Sequence, residues 1–175
     1  MTQTKSSISV VGGNFFNLLQ PEESEYDIDL VATALSNLCR YTGHVTRFYS
    51  VAEHSVLVSQ IVPQKYALEG LLHDASEAFV GDVSSPLKKL LPEYQRIENN
   101  IQEDVAKRFN LHYPFPEEIH KADKQLYWSE RKTISVDSFW HKEFRASRKV
   151  EPQGWTPRIA KKKFLDRYRE IIKGR

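Results

Sequence analysis

The chain is poor in sulfur, with one cysteine and one methionine in 175 residues. Cys39 has no second cysteine to pair with, which excludes a disulfide-stapled scaffold within this chain. Long apolar runs are also missing. Nothing approaches the roughly 20 consecutive apolar residues that span a bilayer. The opening stretch MTQTKSSISVVGGNFF lacks the apolar core of a secretory leader, so no membrane association and a cytoplasmic location are expected. Glycine (7) and proline (8) are sparse and scattered, with no repeat, low-complexity tract or linker. Residues 1–175 are therefore expected to form a single domain. With 40% hydrophobic and 27% charged residues, an intrinsically disordered chain is excluded.

The net charge of +2 hides an asymmetry. Residues 157–175 carry eight basic and two acidic side chains, a net of +6. Residues 1–156 carry 17 basic and 21 acidic ones, a net of −4. An acidic body with a basic tail is not the even basic face of a nucleic-acid binder. The tail reads instead as an amphipathic helix from Thr156-Pro157 to about Lys173, with Ile159, Phe164, Tyr168, Ile171 and Ile172 toward the body.

Residues 1–20 read as an N-terminal β-hairpin around Gly12-Gly13. The remainder reads as helices. Apolar positions 30, 31, 34, 35 and 38 form a helical stripe over Asp29–Cys39. Ser50-Val51-Ala52-Glu53 is a capping box that starts a helix reaching about Val62. Tyr66–Phe79 reads as one further helix, stopped near Gly81. Pro86 and Pro92 open helices, the second running to Phe109, and another spans Glu117 to about Ile134. The expected fold is all-α, a bundle of about six or seven helices with a small hairpin.

His54, the pair His73-Asp74, and Asp123 fall on three of these helices. Two imidazoles and two carboxylates meeting in a bundle core suit a divalent metal and leave positions open for water or phosphate. Apolar neighbours (Leu71, Leu72, Val51, Ala52, Val56, Leu57) place both histidines in a core, where an ionisable group needs a partner or a metal. Glu77, four residues after His73, shares its helix face and can hold or deprotonate a water. Asp82 follows in a glycine-led loop. Arg40, Arg47, Lys88 and Lys89 are nearby cations, and Phe15, Phe16, Phe79 and Pro86 are candidates for a nucleobase slot. A cysteine hydrolase built on Cys39 and His44 lacks an activating context. A Ser50–His54–Asp74 triad competes with the simpler role of Ser50 as a helix cap.

The pattern His54…His73-Asp74…Asp123, together with the stretches YSVAEHS (49–55) and HDASEAFVGDVSSPLK (73–88), resembles the HD-domain metal-dependent phosphohydrolases. The resemblance spans about residues 13–130 and covers two subgroups. One is the bacterial deoxyribonucleoside 5′-monophosphatases of the YfbR type. The other is the phage DatZ-type dATP triphosphohydrolases, which LCRYTGH (38–44) and RFYS (47–50) resemble more. It implies that His54, His73, Asp74 and Asp123 bind the metal, that Glu77 positions the attacking water, and that Asp82 assists as acid or base. It further implies phosphate contacts from Arg40 and Lys88, with Arg47, Lys89 and His44 available to further phosphates. The metal would be Co, Mn, Zn or Fe, with Mg accompanying the substrate phosphates. The substrate would be a deoxynucleotide, with dATP placed first and a 5′-monophosphate as the alternative. The phage reading would put the enzyme in the host cytoplasm, depleting dATP. Family members assemble as homo-oligomers, from dimers to hexamers. A nucleic-acid-binding helical protein using the basic tail is the non-enzymatic alternative.

Overall fold

The structure, a computed structural model, describes residues 4–134 and 150–175. The hairpin pairs β1 (Ser7–Ser9) antiparallel with β2 (Phe15–Asn17), Ile8 facing Phe16. Its turn uses Gly12 and Gly13 at φ of 89° and 80°, a region open to glycine at no steric cost. The helices follow in order: α1 (Ile28–Asn37), α2 (Val51–Ile61), α3 (Ala67–Leu72), α4 (Glu77–Val80), α5 (Ser85–Lys88), α6 (Pro92–Arg108), α7 (Glu117–Thr133) and α8 (Pro157–Lys173). The expected helical bundle with a small N-terminal hairpin is what forms. No helix among the described residues is long and apolar enough to cross a membrane.

Local chemistry sets the ends. Asp27 caps α1 by accepting the Leu30 N–H at 2.8 Å. Ser50 caps α2 by accepting the Glu53 N–H at 3.1 Å. The reciprocal half of that capping box is diverted. Glu53 instead accepts the backbone N–H groups of Gln153, Gly154 and Trp155 at 2.6, 3.0 and 2.6 Å. This pins the chain entering α8 against α2, and burial pushes the Glu53 carboxyl above its ordinary range.

Residues 51–59 of α2 are all buried, which marks it as the central helix. It packs against α1, α3, α7 and α8. One apolar cluster (Phe16, Leu35, Leu68, Leu71, Ile101, Phe164) joins the hairpin, α1, α3, α6 and α8. A second (Tyr49, Leu57, Val58, Ile119, Leu126) joins α2 to α7. Gly70 lets α3 approach α2 closely, because a Cβ there would stand 3.1 Å from Ser59 Cα and 3.0 Å from Val62 Cγ2.

The expected continuous helix over Tyr66–Phe79 is broken. α3 ends at Leu72, and the next bonds (Ala75 N–H to Leu72 O, Glu77 to Asp74, Ala78 to Ala75, Phe79 to Ser76) step by three residues. Side chains three apart align in such a tightened turn. His73, Asp74 and Glu77 all border one cavity.

α8 buries Ala160, Phe164 and Ile171, whereas Ile159 and Ile172 stay 39% and 45% exposed, contrary to the expected apolar face. Several of its basic side chains are engaged locally. Lys161 pairs with Asp29, Lys162 and Arg169 with Asp166, Arg167 with Glu170 and Ser59, and Arg175 with Glu69.

Candidate metal centre

The geometry centres on His54 Nε2. It lies 3.1 Å from Asp123 Oδ1, 3.3 Å from His73 Nε2 and 3.6 Å from Asp74 Oδ2. His73 Nε2 is itself 3.3 Å from Asp74 Oδ2. The fold explains the meeting. His54 comes from the buried face of α2, His73 and Asp74 from the tightened turn after α3, and Asp123 from α7, which packs on α2. Two donors each about 2.1 Å from one ion stand about 3–4 Å apart, so His54, His73 and Asp123 form a group that could hold a single divalent cation, with Asp74 Oδ2 beside the two imidazoles.

The imidazoles are oriented for that task. His73 Nδ1 donates to the Gly70 carbonyl at 3.0 Å, and His54 Nδ1 lies 2.6 Å from Glu130 Oε1. Both rings thus turn Nε2 toward the common point. Burial and Arg40 oppose protonation of His54, but Glu130 and Asp123 prevail and raise its pKa to about 9. Asp123 moves the other way. Burial would raise it, yet its hydrogen bond and attraction to His54, with His73 and Arg40 behind, hold it well below the carboxylate range. The carboxylates of Asp123 and Asp74 beside the two imidazoles make the site complementary to a cation.

Glu77 is buried, and its Oε2 has no hydrogen-bond partner among the described residues. Burial, followed by the charges of Asp74 and Asp82, pushes its carboxyl well above the ordinary range. An orphaned, basic carboxylate oxygen beside a candidate metal is the arrangement a proton acceptor needs. Asp82 is close enough for its charge to reach Glu77. Lys88 donates from Nζ to Glu98 Oε1 at 2.7 Å, and together with His73, Asp74 and Glu77 it borders a cavity of about 260 Å³. Arg40 also faces the cluster, with Nη1 3.3 Å from Asp74 Oδ2.

Other expected substrate contacts go elsewhere. Arg47 donates from Nη2 to the Pro152 carbonyl at 2.9 Å, and its alkyl chain lies on Gly154, so it clamps the segment before α8. Phe79 is 5% exposed and stacks on Phe16 at 3.7 Å, with Tyr26 edge-on at 5.0 Å. Phe79 and Phe16 are thus core residues with no face for a nucleobase. Pro86 opens α5 and is exposed. His44 lines a separate cavity with Tyr41, Val45 and Ile134.

Glu130 was not singled out by motif. It is fully buried, accepts from Tyr49 Oη at 2.7 Å and from Tyr41 Oη, contacts His54, and has Arg40 Nη2 3.7 Å away. Burial would raise its pKa, but Arg40 and His54 hold it at about 2. The available signal was periodicity, since it lies two helical turns after Asp123 on the same helix.

A helical bundle whose interior gathers His54, His73 and Asp123 into a group able to hold a metal ion, with Asp74 beside it, is an HD-type arrangement. Residues 39–138 match the model of the YfbR-like 5′-deoxynucleotidases, and the chain belongs to that family. It is 39% identical over 137 residues to the uncharacterized protein YfdR of Escherichia coli (strain K12), covering 77% of each chain. It is 31% identical over 125 residues to the uncharacterized protein RCAP_rcc00048 of Rhodobacter capsulatus, covering 66% of this chain and 64% of that one.

Proposed function

We propose that the chain hydrolyses deoxyribonucleoside 5′-monophosphates to nucleoside and phosphate, with a divalent metal held by His54, His73, Asp74 and Asp123. The observation carrying this reading is the convergence of those donors on His54 Nε2 at 3.1–3.6 Å, beside an unpartnered buried carboxylate oxygen on Glu77. The matched family is one of 5′-deoxynucleotidases, so the triphosphohydrolase expectation, with dATP first, yields to the monophosphatase alternative.

The bound ion supplies positive charge at the phosphate and acidifies water. The chain's own residues do the rest. Glu77 Oε2 holds the attacking water and takes its proton as the water oxygen bonds to phosphorus. The P–O5′ bond breaks as the proton that Glu77 took from the water passes to the leaving O5′, with Asp82 assisting beside the ester oxygen. Arg40 and Lys88 neutralise the non-bridging oxygens. The acidic body implies that phosphate affinity comes from the metal and these local cations. The metal is one of Co, Mn, Zn or Fe, and the active form is a homo-oligomer of a single-domain chain.

A product assay on the four deoxynucleoside monophosphates and the four triphosphates tests this reading. Nucleoside plus phosphate from the monophosphates is expected. Release of intact triphosphate from dATP, with the monophosphates untouched, would restore the triphosphohydrolase reading instead. The nucleic-acid-binding alternative finds no support in α8, which buries Ala160, Phe164 and Ile171 in the core and pairs Lys161, Lys162, Arg167 and Arg169 with carboxylates.

A further inference from the structure

We propose that Glu130 is a positioning residue for the metal centre, accepting the Nδ1–H of His54 so that Nε2 presents its lone pair to the ion. The inference rests on the metal-centre reading above and adds a residue outside the ligand set.

Glu130 is fully buried on α7, and every polar group that the described structure brings to it is a donor. Its Oε1 accepts from Tyr49 Oη at 2.7 Å and meets His54 Nδ1 at 2.6 Å. Its Oε2 accepts from Tyr41 Oη and faces Arg40 Nη2 at 3.7 Å. Two phenols and a guanidinium fix the carboxylate, and the carboxylate fixes the ring. The two histidines are therefore unequal. His73 Nδ1 donates to a neutral carbonyl, that of Gly70, whereas His54 Nδ1 meets a carboxylate, which makes its Nε2 the more electron-rich donor. Buried carboxylate–histidine pairs of this kind hold ring orientation and tautomer in metal sites, and their loss weakens metal binding about 10- to 100-fold. The same helix delivers Asp123, so α7 contributes both a ligand and the support of another ligand.

The test is a titration of metal-free protein with Co²⁺, comparing the wild type with Glu130→Gln and Tyr49→Phe. Glu130→Gln keeps the shape of the side chain and removes its charge. It is expected to weaken Co²⁺ binding about 10- to 100-fold, and Tyr49→Phe, which leaves the charge in place, to weaken it less. Equal Co²⁺ affinity in wild type and Glu130→Gln overturns the inference and leaves the metal centre standing. Failure of the wild type to bind Co²⁺ overturns both. A second measurement needs no variant. In the Zn²⁺-loaded wild type, ¹⁵N NMR of His54 should show the proton on Nδ1 and the metal on Nε2, and the reverse assignment contradicts the proposal.

Discussion

Arg40 Nη1 lies 3.3 Å from Asp74 Oδ2 and Arg40 Nη2 lies 3.7 Å from Glu130 Oε2, so one guanidinium bridges a candidate ligand and the carboxylate behind another. The loop that carries it is unusual, with Tyr41 and Thr42 at φ of 58° and 54° followed by Gly43 at 80°. Non-glycine residues in this region cost roughly 1–2 kcal/mol each, an outlay met here by the Tyr41 bond to Glu130 and the buried Arg40. In the proposed mechanism the guanidinium edge beside Asp74, at Nη1, is the part of this rigidly held arginine that would meet a phosphate oxygen. Arg40→Met should raise KM for a deoxynucleoside monophosphate about 10- to 100-fold, the equivalent of one charged hydrogen bond at about 1.5–3 kcal/mol. Steady-state kinetics at saturating metal reads this, and an unchanged KM would remove Arg40 from the phosphate site.

Glu77→Gln should retain the metal and lower kcat about 10²- to 10⁴-fold, the usual contribution of a positioned proton acceptor. Full activity in that variant would end the water-positioning role. The pH profile gives a second check. Glu77 must be ionised to take a proton, and its pKa is raised, so activity should rise with pH along a limb above 4.5, the unperturbed value. The positive charge of Lys88 opposes that rise, so Lys88→Met should move the limb to still higher pH.

Gly70→Ala tests how the fold sets the metal centre. The added Cβ would meet the Ser59 backbone and Val62, separating α3 from α2. Overpacking of this sort costs about 1–3 kcal/mol. Because His54 rides on α2 and His73 follows α3, metal affinity should fall together with the urea midpoint. Lost stability with wild-type metal affinity would show that the two helices need not hold this spacing.

Away from the site, buried Glu69 accepts from His112 Nδ1 at 2.9 Å and pairs with Arg175 at 3.2 Å. Burial raises its pKa, but the His112 bonds and Arg175 prevail and lower it below 4.5. A depressed folded pKa means stability that is fully present above the unfolded value and is lost as pH falls through the folded one. Glu69→Gln should therefore be destabilised by on the order of 2 kcal/mol near neutral pH. The gap should close in acid below the folded pKa, as urea unfolding at a series of pH values will show.

Much of the fold was legible because its punctuation is local. Pro92, Pro157, Ser50 and the Gly12-Gly13 turn each act on their immediate neighbours, and the structure places element ends beside them. His54 and His73 stood out as candidate ligands because apolar residues flank them, whereas Asp123, in Lys121-Ala122-Asp123-Lys124, has no such flank and entered through the family pattern. What was hidden depends on contacts between distant segments. Glu53 looks like half of a capping box, and only the arrival of residues 153–155 turns it into a clamp. Phe79 looks like a stacking surface until Phe16 and Tyr26 enclose it. Arg47 looks like a phosphate ligand until Pro152 takes its guanidinium. Glu130 has only its place two turns after Asp123 as a signature, and its role emerges when α7 packs on α2.

The most direct measurement is phosphate release from dAMP, with metal content determined on the same samples, for the wild type and Asp74→Ala. The wild type should carry the metal and release phosphate, losing activity on chelation and regaining it when the ion is restored. Asp74→Ala should lose metal and activity together. Phosphate release by Asp74→Ala at the wild-type rate, or by wild type stripped of metal, would contradict the account.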